Sequence, residues 1–486
     1  MKARPPLEGD LDVDVVVIGG GYTGMWTAWH LLSSEPGARV ALLEAGVCGH
    51  GPSGRNGGFC ESLWFSAGTL RDRFGDRAAR ELLVASSETV GAIGAWCREN
   101  EVDAWFDQSG YLAVSTAPAY DATGLDAVLA AAALGVPEAV QELSGARVRE
   151  RCDSPLFRRG VFVPDFATLQ PARLSLGLRR RLIERGALVF ERSRVRALRA
   201  GRGRPGAAKD RGGVARGGAP AGGPGGGGGG DAPSGGVRGG VVAETAGGRV
   251  RAGAAVLAIG PSARGVRPLR TRLTVTSSHI VLTEPVPDVL AQIGWTGGEC
   301  ITDGRTLLHY FRTTPDGRIV FGWGGGRIAC GARLNGRAEV DAGIARAALA
   351  DLRRLFPPLE ARRITHAWGG PIDVSPSHLP QVGTLPGAPV HFAFGYTGNG
   401  VGPSHLAARA LASLALDRRD AVTRLAIVGS DPGARVPPEP LGWLGGSVVR
   451  SAMLRRERAE ERDARADPLT RAICAAPRAL GIHVAR

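Results

Sequence analysis

The chain has 486 residues, enough to bury a large core, and a net charge of +14. It has no run of about 18 apolar residues and no apolar signal core behind MKARPPLEGDL, so neither a membrane span nor export is expected. Its seven cysteines are odd in number and none is spaced CxxC, which argues against a disulfide framework and a zinc or other metal site and favours a cytoplasmic location. More than half of the excess charge lies in residues 201–240 and 441–486, and lysine occurs only at Lys2 and Lys209. The positive charge is a bias toward arginine, and no nucleic-acid partner is expected.

The first predicted element is a buried parallel strand over 13–18, an apolar run broken only by Asp14. Gly19, Gly21 and Gly24 follow at GxGxxG spacing. The first permits a tight turn, the second lets backbone approach a pyrophosphate, and the third lets the next helix pack closely. Helical periodicity over 22–32 places the phosphate at a helix N-terminus. A second strand over 39–43 ends at Glu44, where a carboxylate accepts from a ribose hydroxyl. The order strand, glycines, helix, strand and acid predicts a dinucleotide-binding unit.

A second glycine-dense loop, 46–58, contains Ser53-Gly54-Arg55-Asn56-Gly57-Gly58. With the preceding unit, this string resembles the D-amino-acid oxidase and glycine oxidase superfamily of FAD proteins. Within it, SGRNGG is similar to the branch that includes γ-glutamylputrescine oxidoreductase. The resemblance covers most of 10–445 outside one insertion. It implies that this loop runs beside the flavin, with Ser53, Arg55, Asn56, Gly57 and Gly58 as cofactor contacts. Glycines let backbone reach a flat ring edge, and Arg55 and Asn56 can donate to a flavin carbonyl or a pyrophosphate oxygen.

A long helix is predicted over 68–100, a strand over 105–114, an alanine-rich helix over 121–134 and short strands over 152–166. Pro171 suits the first turn of a helix ending near 183, and a strand follows over 187–191. The resemblance implies that backbone near Val195 holds the adenine. Nineteen of residues 201–240 are glycine, a composition that cannot bury enough apolar surface to order itself. It predicts a disordered loop between two strands of a hairpin or meander. Strands are expected over 241–245 and 254–259, and Gly260 after them is an implied backbone contact to the cofactor.

Residues 272–330 predict an antiparallel sheet, with strands over 274–283, 306–313 and 318–323 and a turn at Pro315-Asp316-Gly317. The resemblance makes this the sheet that roofs the flavin. A helix is expected over 343–356. Then come Trp368-Gly369-Gly370-Pro371-Ile372-Asp373, a strand over 390–394, the turn Gly395-Tyr396-Thr397-Gly398-Asn399-Gly400-Val401 and a helix over 403–414. A glycine turn at a helix N-terminus offers N–H groups to something electron-rich. The resemblance implies the flavin pyrimidine edge, met by Gly395, Thr397, Gly398, Gly400 and Val401. An Arg/Glu-rich helix over 445–465 is expected as a solvated face.

The fold class is therefore α/β: a Rossmann-like FAD-binding domain of the glutathione-reductase type, interleaved with an antiparallel-sheet substrate domain. The FAD domain takes 10–100, 151–265 and 363–420, the substrate domain 101–150 and 266–362, and 421–486 is a C-terminal extension. The resemblance implies oxidation of the C–N bond of a small amine or amino acid, by hydride transfer to flavin N5 and hydrolysis of the imine. FAD is expected to be non-covalent, because 331–473 holds no cysteine where the covalently linked branch has one. Alternation puts Tyr310 and Arg312 on one face of their strand, and His309 and Phe311 on the other. An arginine fork suits a substrate carboxylate; equally, Arg312 could cap the turn at Pro315. His279 and Trp368 complete the substrate-pocket candidates. An RNA-modifying flavoprotein and an FAD-binding module without amine oxidation are the alternatives.

Overall fold

The computed structural model describes residues 2–200, 240–331, 336–431 and 433–483. Two eight-stranded sheets organise it. At the centre of the first, Leu11–Ile18 lies parallel to Val40–Leu43 on one side and Arg249–Leu257 on the other. Leu188–Phe190 and Val390–Phe394 extend this parallel core, and Gln381–Thr384 closes one edge antiparallel. Side chains of the central strand alternate between two cores. Val15 and Val17 pack with Met25, Trp26, Leu178 and Leu411 from helices Tyr22–Ser34, Pro171–Glu184 and Val401–Ala415. Val16 and Ile18 pack with Val241, Ala243 and Leu269 on the opposite face. Burial on both faces is why the strand is apolar nearly throughout. The third glycine of the turn does what its spacing predicts: a Cβ on Gly24 would collide with the Gly19 carbonyl oxygen.

The second sheet runs in the order Ile364–Val374, Thr274–Thr283, Ile319–Trp323, His309–Thr313, Cys300–Asp303, Tyr111–Val114, Gly160–Val163 and Gln141–Leu143. It is antiparallel except where Cys300–Asp303 meets Tyr111–Val114. One face buries Phe311 and Phe321 against Trp295, Phe356 and helix Ala342–Leu355. The other carries Tyr111 and Tyr310 toward the first sheet.

Several elements differ from the sequence reading. Ile364–Val374 is a strand paired with Thr274–Thr283 along its whole length, so this part of 363–420 hydrogen-bonds into the second sheet. Gly369-Gly370-Pro371 hides it in the sequence, yet proline is tolerated on an edge strand. The predicted strand over 105–114 is shortened to Tyr111–Val114. The helix over 68–100 is Ala67–Glu99 with a kink at Gly75, φ 77°. The C-terminal extension forms two helices, Leu441–Glu460 and Pro468–Ala479. The second was missed although Asp467 caps it through the Thr470 N–H, 2.9 Å, ahead of Pro468. The glycine-dense segment lies, except for Gly240, outside the described residues. On its two sides Ala197–Ala200 and Val241–Glu244 pair antiparallel.

Candidate active site

A cavity of about 2010 Å³ lies between the two sheets. Its floor is built where the parallel strands end: Gly19 to Gly21 after the first strand, Glu44 after the second, Gly260 after Arg249–Leu257 and Thr397 to Val401 after Val390–Phe394. Ligands of open parallel sheets bind in this crevice. Helices Tyr22–Ser34 and Val401–Ala415 both start here, with Gly21 and Gly400 as N-caps that have no side chain to close them. Their N-terminal N–H groups and positive dipole ends suit an anionic or electron-rich ligand. Gly260 and Gly398 leave open space where a Cβ would stand.

The expected cofactor residues divide into those on the wall and those behind it. Glu44 is half-buried on the wall, and its two oxygens accept from the N–H groups of Gly20 and Gly46, both at 2.7 Å. Each oxygen keeps a lone pair for a ribose hydroxyl. Val195 lines the cavity beside Arg194 and Arg196. Ser53 Oγ accepts from the Tyr22 N–H at 2.8 Å, fastening the second glycine loop to the start of the first helix. Arg55 is on the wall but pairs with Glu339 at 3.1 Å. Asn56 turns inward: Nδ2 donates to the carbonyls of Pro52 and Ser53, and Oδ1 accepts from the Gly58 N–H. It lines the cavity while its amide staples its own loop. Gly57 lines the cavity with the Tyr310 ring where its Cβ would be. Gly58 sits behind, at φ 82°, with the Leu169 carbonyl in its Cβ position. These two glycines are set by packing against the second sheet, beyond any approach to a ring.

Thr397, Gly398, Gly400 and Val401 line the cavity, whereas Gly395 lies behind them and donates its N–H to Asp373 Oδ2 at 2.6 Å. Thr397 holds φ 57°, a left-handed conformation costly for a β-branched residue. The Asp373 carbonyl accepts its N–H and the Gly395 carbonyl accepts its Oγ1 hydroxyl, which keeps it there. Burial pushes Asp373 up to about 6.

Of the substrate candidates, Tyr310 lines the cavity, with its hydroxyl 2.6 Å from Ser278 Oγ. Arg312 shares its face, as alternation predicts, but lies behind the glycine loop. Its Nε donates to the Gly57 carbonyl at 2.6 Å and its Nη1 to the Thr313 carbonyl at 2.9 Å. The fork is thus used on backbone, not held open for a carboxylate. Burial lowers Arg312 to about 10. His279 is on the wrong face: Thr274, Thr276 and Ser278 of its strand point to the cavity, so period-two alternation sends His279 away, to Ser277 Oγ. Trp368 also stands off the wall and donates its indole N–H to the Arg55 carbonyl at 2.9 Å.

Three features were missed. Ser278 and Asp373 join the wall through strand phase, which no local pattern fixes. Glu61, directly after the short strand Phe59–Cys60, lines the cavity among Phe59, Phe65 and Tyr111. Its signal was present: it is the lone charge between Arg55 and Arg71. The C-terminal helix, expected as a solvated face, lends Gly442, Gly446 and Arg450 to the far wall.

The family model described as "FAD dependent oxidoreductase" (DAO) matches residues 14–414. The chain belongs to this family and is an FAD-dependent oxidoreductase. It is 27% identical over 421 residues to the gamma-glutamylputrescine oxidoreductase of Escherichia coli K12, covering 84% of each chain. It is 25% identical over 455 residues to the probable oxidoreductase OrdL of Haemophilus influenzae, covering 92% of this chain and 90% of the relative. Among solved structures, glycine oxidase from Geobacillus kaustophilus shares the fold with a TM-score of 0.64, at 18% identity and covering 87% of this chain and all of that one. FAD fits the crevice: two uncapped helix starts, a carboxylate after the second strand and open space over Gly260 and Gly398 meet the needs of a long dinucleotide.

Proposed function

We propose that the chain oxidises the C–N bond of a small amine or amino acid. The observation that carries this reading is that one cavity holds both the dinucleotide cradle and a chamber walled by Phe59, Phe65, Tyr111 and Tyr310. Bound FAD would supply the hydride acceptor. The chain's task is to position the substrate's α-carbon and exclude water. Tyr310, fixed by Ser278, sits beside Gly57 and sets one side of the chamber. The relatives named for amines or amino acids support the substrate class. The imine formed is hydrolysed in water.

Non-covalent FAD is supported by the cysteines. Among the described residues none lines the cavity, and burial pushes the thiols of Cys48 and Cys60 up, away from the reactive thiolate. Seven cysteines without a disulfide also favour a cytoplasmic setting. The test is a panel of amines and amino acids added anaerobically to the purified protein while flavin absorbance is followed. At least one compound is expected to bleach it. A flavin that stays oxidised throughout would refute the reading.

A further inference from the structure

We infer that Glu61 is the amine-recognition residue of this site, binding the substrate's ammonium group and accepting its proton. The proton step rests on the amine-oxidation reading; the ammonium site does not.

Glu61 sits where the cradle and the chamber meet. Its backbone is pressed against the first turn of helix Val401–Ala415 so closely that a Cβ on Gly402 would collide with the Glu61 carbonyl oxygen. Its side chain lines the cavity. Among the described residues the carboxyl has no hydrogen-bond or ion-pair partner. A carboxyl half-buried in a cavity wall among aromatic rings and left unpartnered is costly to fold, unless a ligand completes it. Arg312, the buried cation behind the neighbouring glycine loop, is committed to the Gly57 and Thr313 carbonyls.

The surroundings suit a cation. Phe65 meets Tyr111 at 4.9 Å between ring centroids, Phe59 meets Tyr310 at 5.7 Å, and Phe59 meets Tyr111 at 6.1 Å. A group of aromatic rings with one carboxyl is the chemistry that holds an ammonium ion, through ring faces and charge together.

The step balances simply. The ammonium N–H bond breaks, the proton forms an O–H bond on the Glu61 carboxylate, and the nitrogen lone pair is freed. Bound FAD would take the α-hydrogen with its two electrons, and the freed pair would then close the C=N bond. The titratable groups facing Glu61 are Cys60 beside it and Tyr111 and Cys300 from the second sheet. Burial raises all three, so they stay neutral through the working range. Burial pushes Glu61 itself up to about 8. Above that it is ionised, and an alkylammonium stays charged to about pH 10.

The test uses flavin-loaded protein and two matched probes in calorimetric titrations. One is tert-butylammonium, which has no α-hydrogen and cannot be oxidised; the other is pivalate, of the same shape and opposite charge. The wild type is expected to bind tert-butylammonium over pivalate, and more tightly near pH 9 than at about pH 6.5. Glu61→Gln should weaken that binding at least about tenfold and flatten its pH dependence, while Glu61→Asp keeps part of it. Flavin content and Tm equal to or above wild type in Glu61→Gln show that the fold is intact. Equal binding by wild type and Glu61→Gln, a preference for pivalate, or binding of neither probe overturns the inference. If binding depends on Glu61 while no amine bleaches the flavin, the ammonium site stands and the oxidation reading falls.

Discussion

Arg312 donates through Nε to the Gly57 carbonyl at 2.6 Å, joining positions 255 residues apart. The bond ties the sheet over the chamber to the loop beside the cradle. Trp368 repeats it two residues earlier in the same loop, on the Arg55 carbonyl. Both bonds come from strands of the second sheet, so the shape of the 52–58 loop depends on that sheet.

Replacing Arg312 with Met should therefore loosen this loop without unfolding the chain. The Gly57 carbonyl loses its donor, at a cost of about 1–3 kcal/mol, while an uncompensated buried cation is removed. The expected outcome is weaker FAD retention with a small change in Tm, measured by titrating apoprotein with FAD. Arg312→Lys should not rescue it, because an ammonium lacks the fork that reaches two carbonyls. Unchanged FAD affinity in both variants would show that the loop holds its shape alone.

Glu44→Ala should also weaken FAD binding. Glu44 orders the Gly20 and Gly46 N–H groups and lines the cavity. Losing one charged hydrogen-bonding group costs about 1.5–3 kcal/mol, roughly ten- to a hundredfold in Kd. Fluorescence titration measures it, and an unchanged Kd would remove Glu44 from the cofactor site.

The parallel strands were legible because burial on both faces leaves a continuous apolar run. Strands 274–283 and 390–394 emerge with the predicted bounds. The face of a strand was harder to read. Alternation correctly grouped Tyr310 with Arg312, but which face His279 shares depends on how its strand pairs with Ile319–Trp323 and Ile364–Val374. The partner of Arg312 is a backbone carbonyl, which carries no residue-specific signal. The bonds of Asn56 within its own loop were illegible for a similar reason: its amide suits a ligand as well as its own turn.

His309 gives a pH signature. It is fully buried between Asp303, at 2.6 Å, and Asp351 of helix Ala342–Leu355, at 3.1 Å. Burial alone would lower its pKa, but the two carboxylates outweigh it and raise it above the ordinary 6.5. A raised histidine contributes stability that is complete below the ordinary value and lost as pH rises through the raised one. The Tm of the wild type should fall over that interval, and the fall should be smaller in His309→Gln. Parallel Tm–pH curves for the two proteins would show that the pair carries no such linkage.

Reduced enzyme is expected to react slowly with oxygen. A cation near the ring would stabilise developing superoxide. Lys2 is tied through its carbonyl to Arg179, and Lys209 lies outside the described residues. His279 faces away from the cavity, and Arg55 is paired with Glu339. Stopped-flow mixing of reduced enzyme with air-saturated buffer should give reoxidation slower than turnover with an acceptor dye. Reoxidation faster than turnover, with no gain from dye, would make the protein an oxidase.

The most direct test of amine oxidation is a single anaerobic turnover with product analysis. Flavin-loaded protein is mixed with an amine, and absorbance and products are measured together. The account predicts that flavin absorbance is lost and that carbonyl product and released amine or ammonia appear in equal amounts, matching the flavin reduced. Flavin that stays oxidised with every amine and amino acid tried, or bleaching without a carbonyl product, would contradict it.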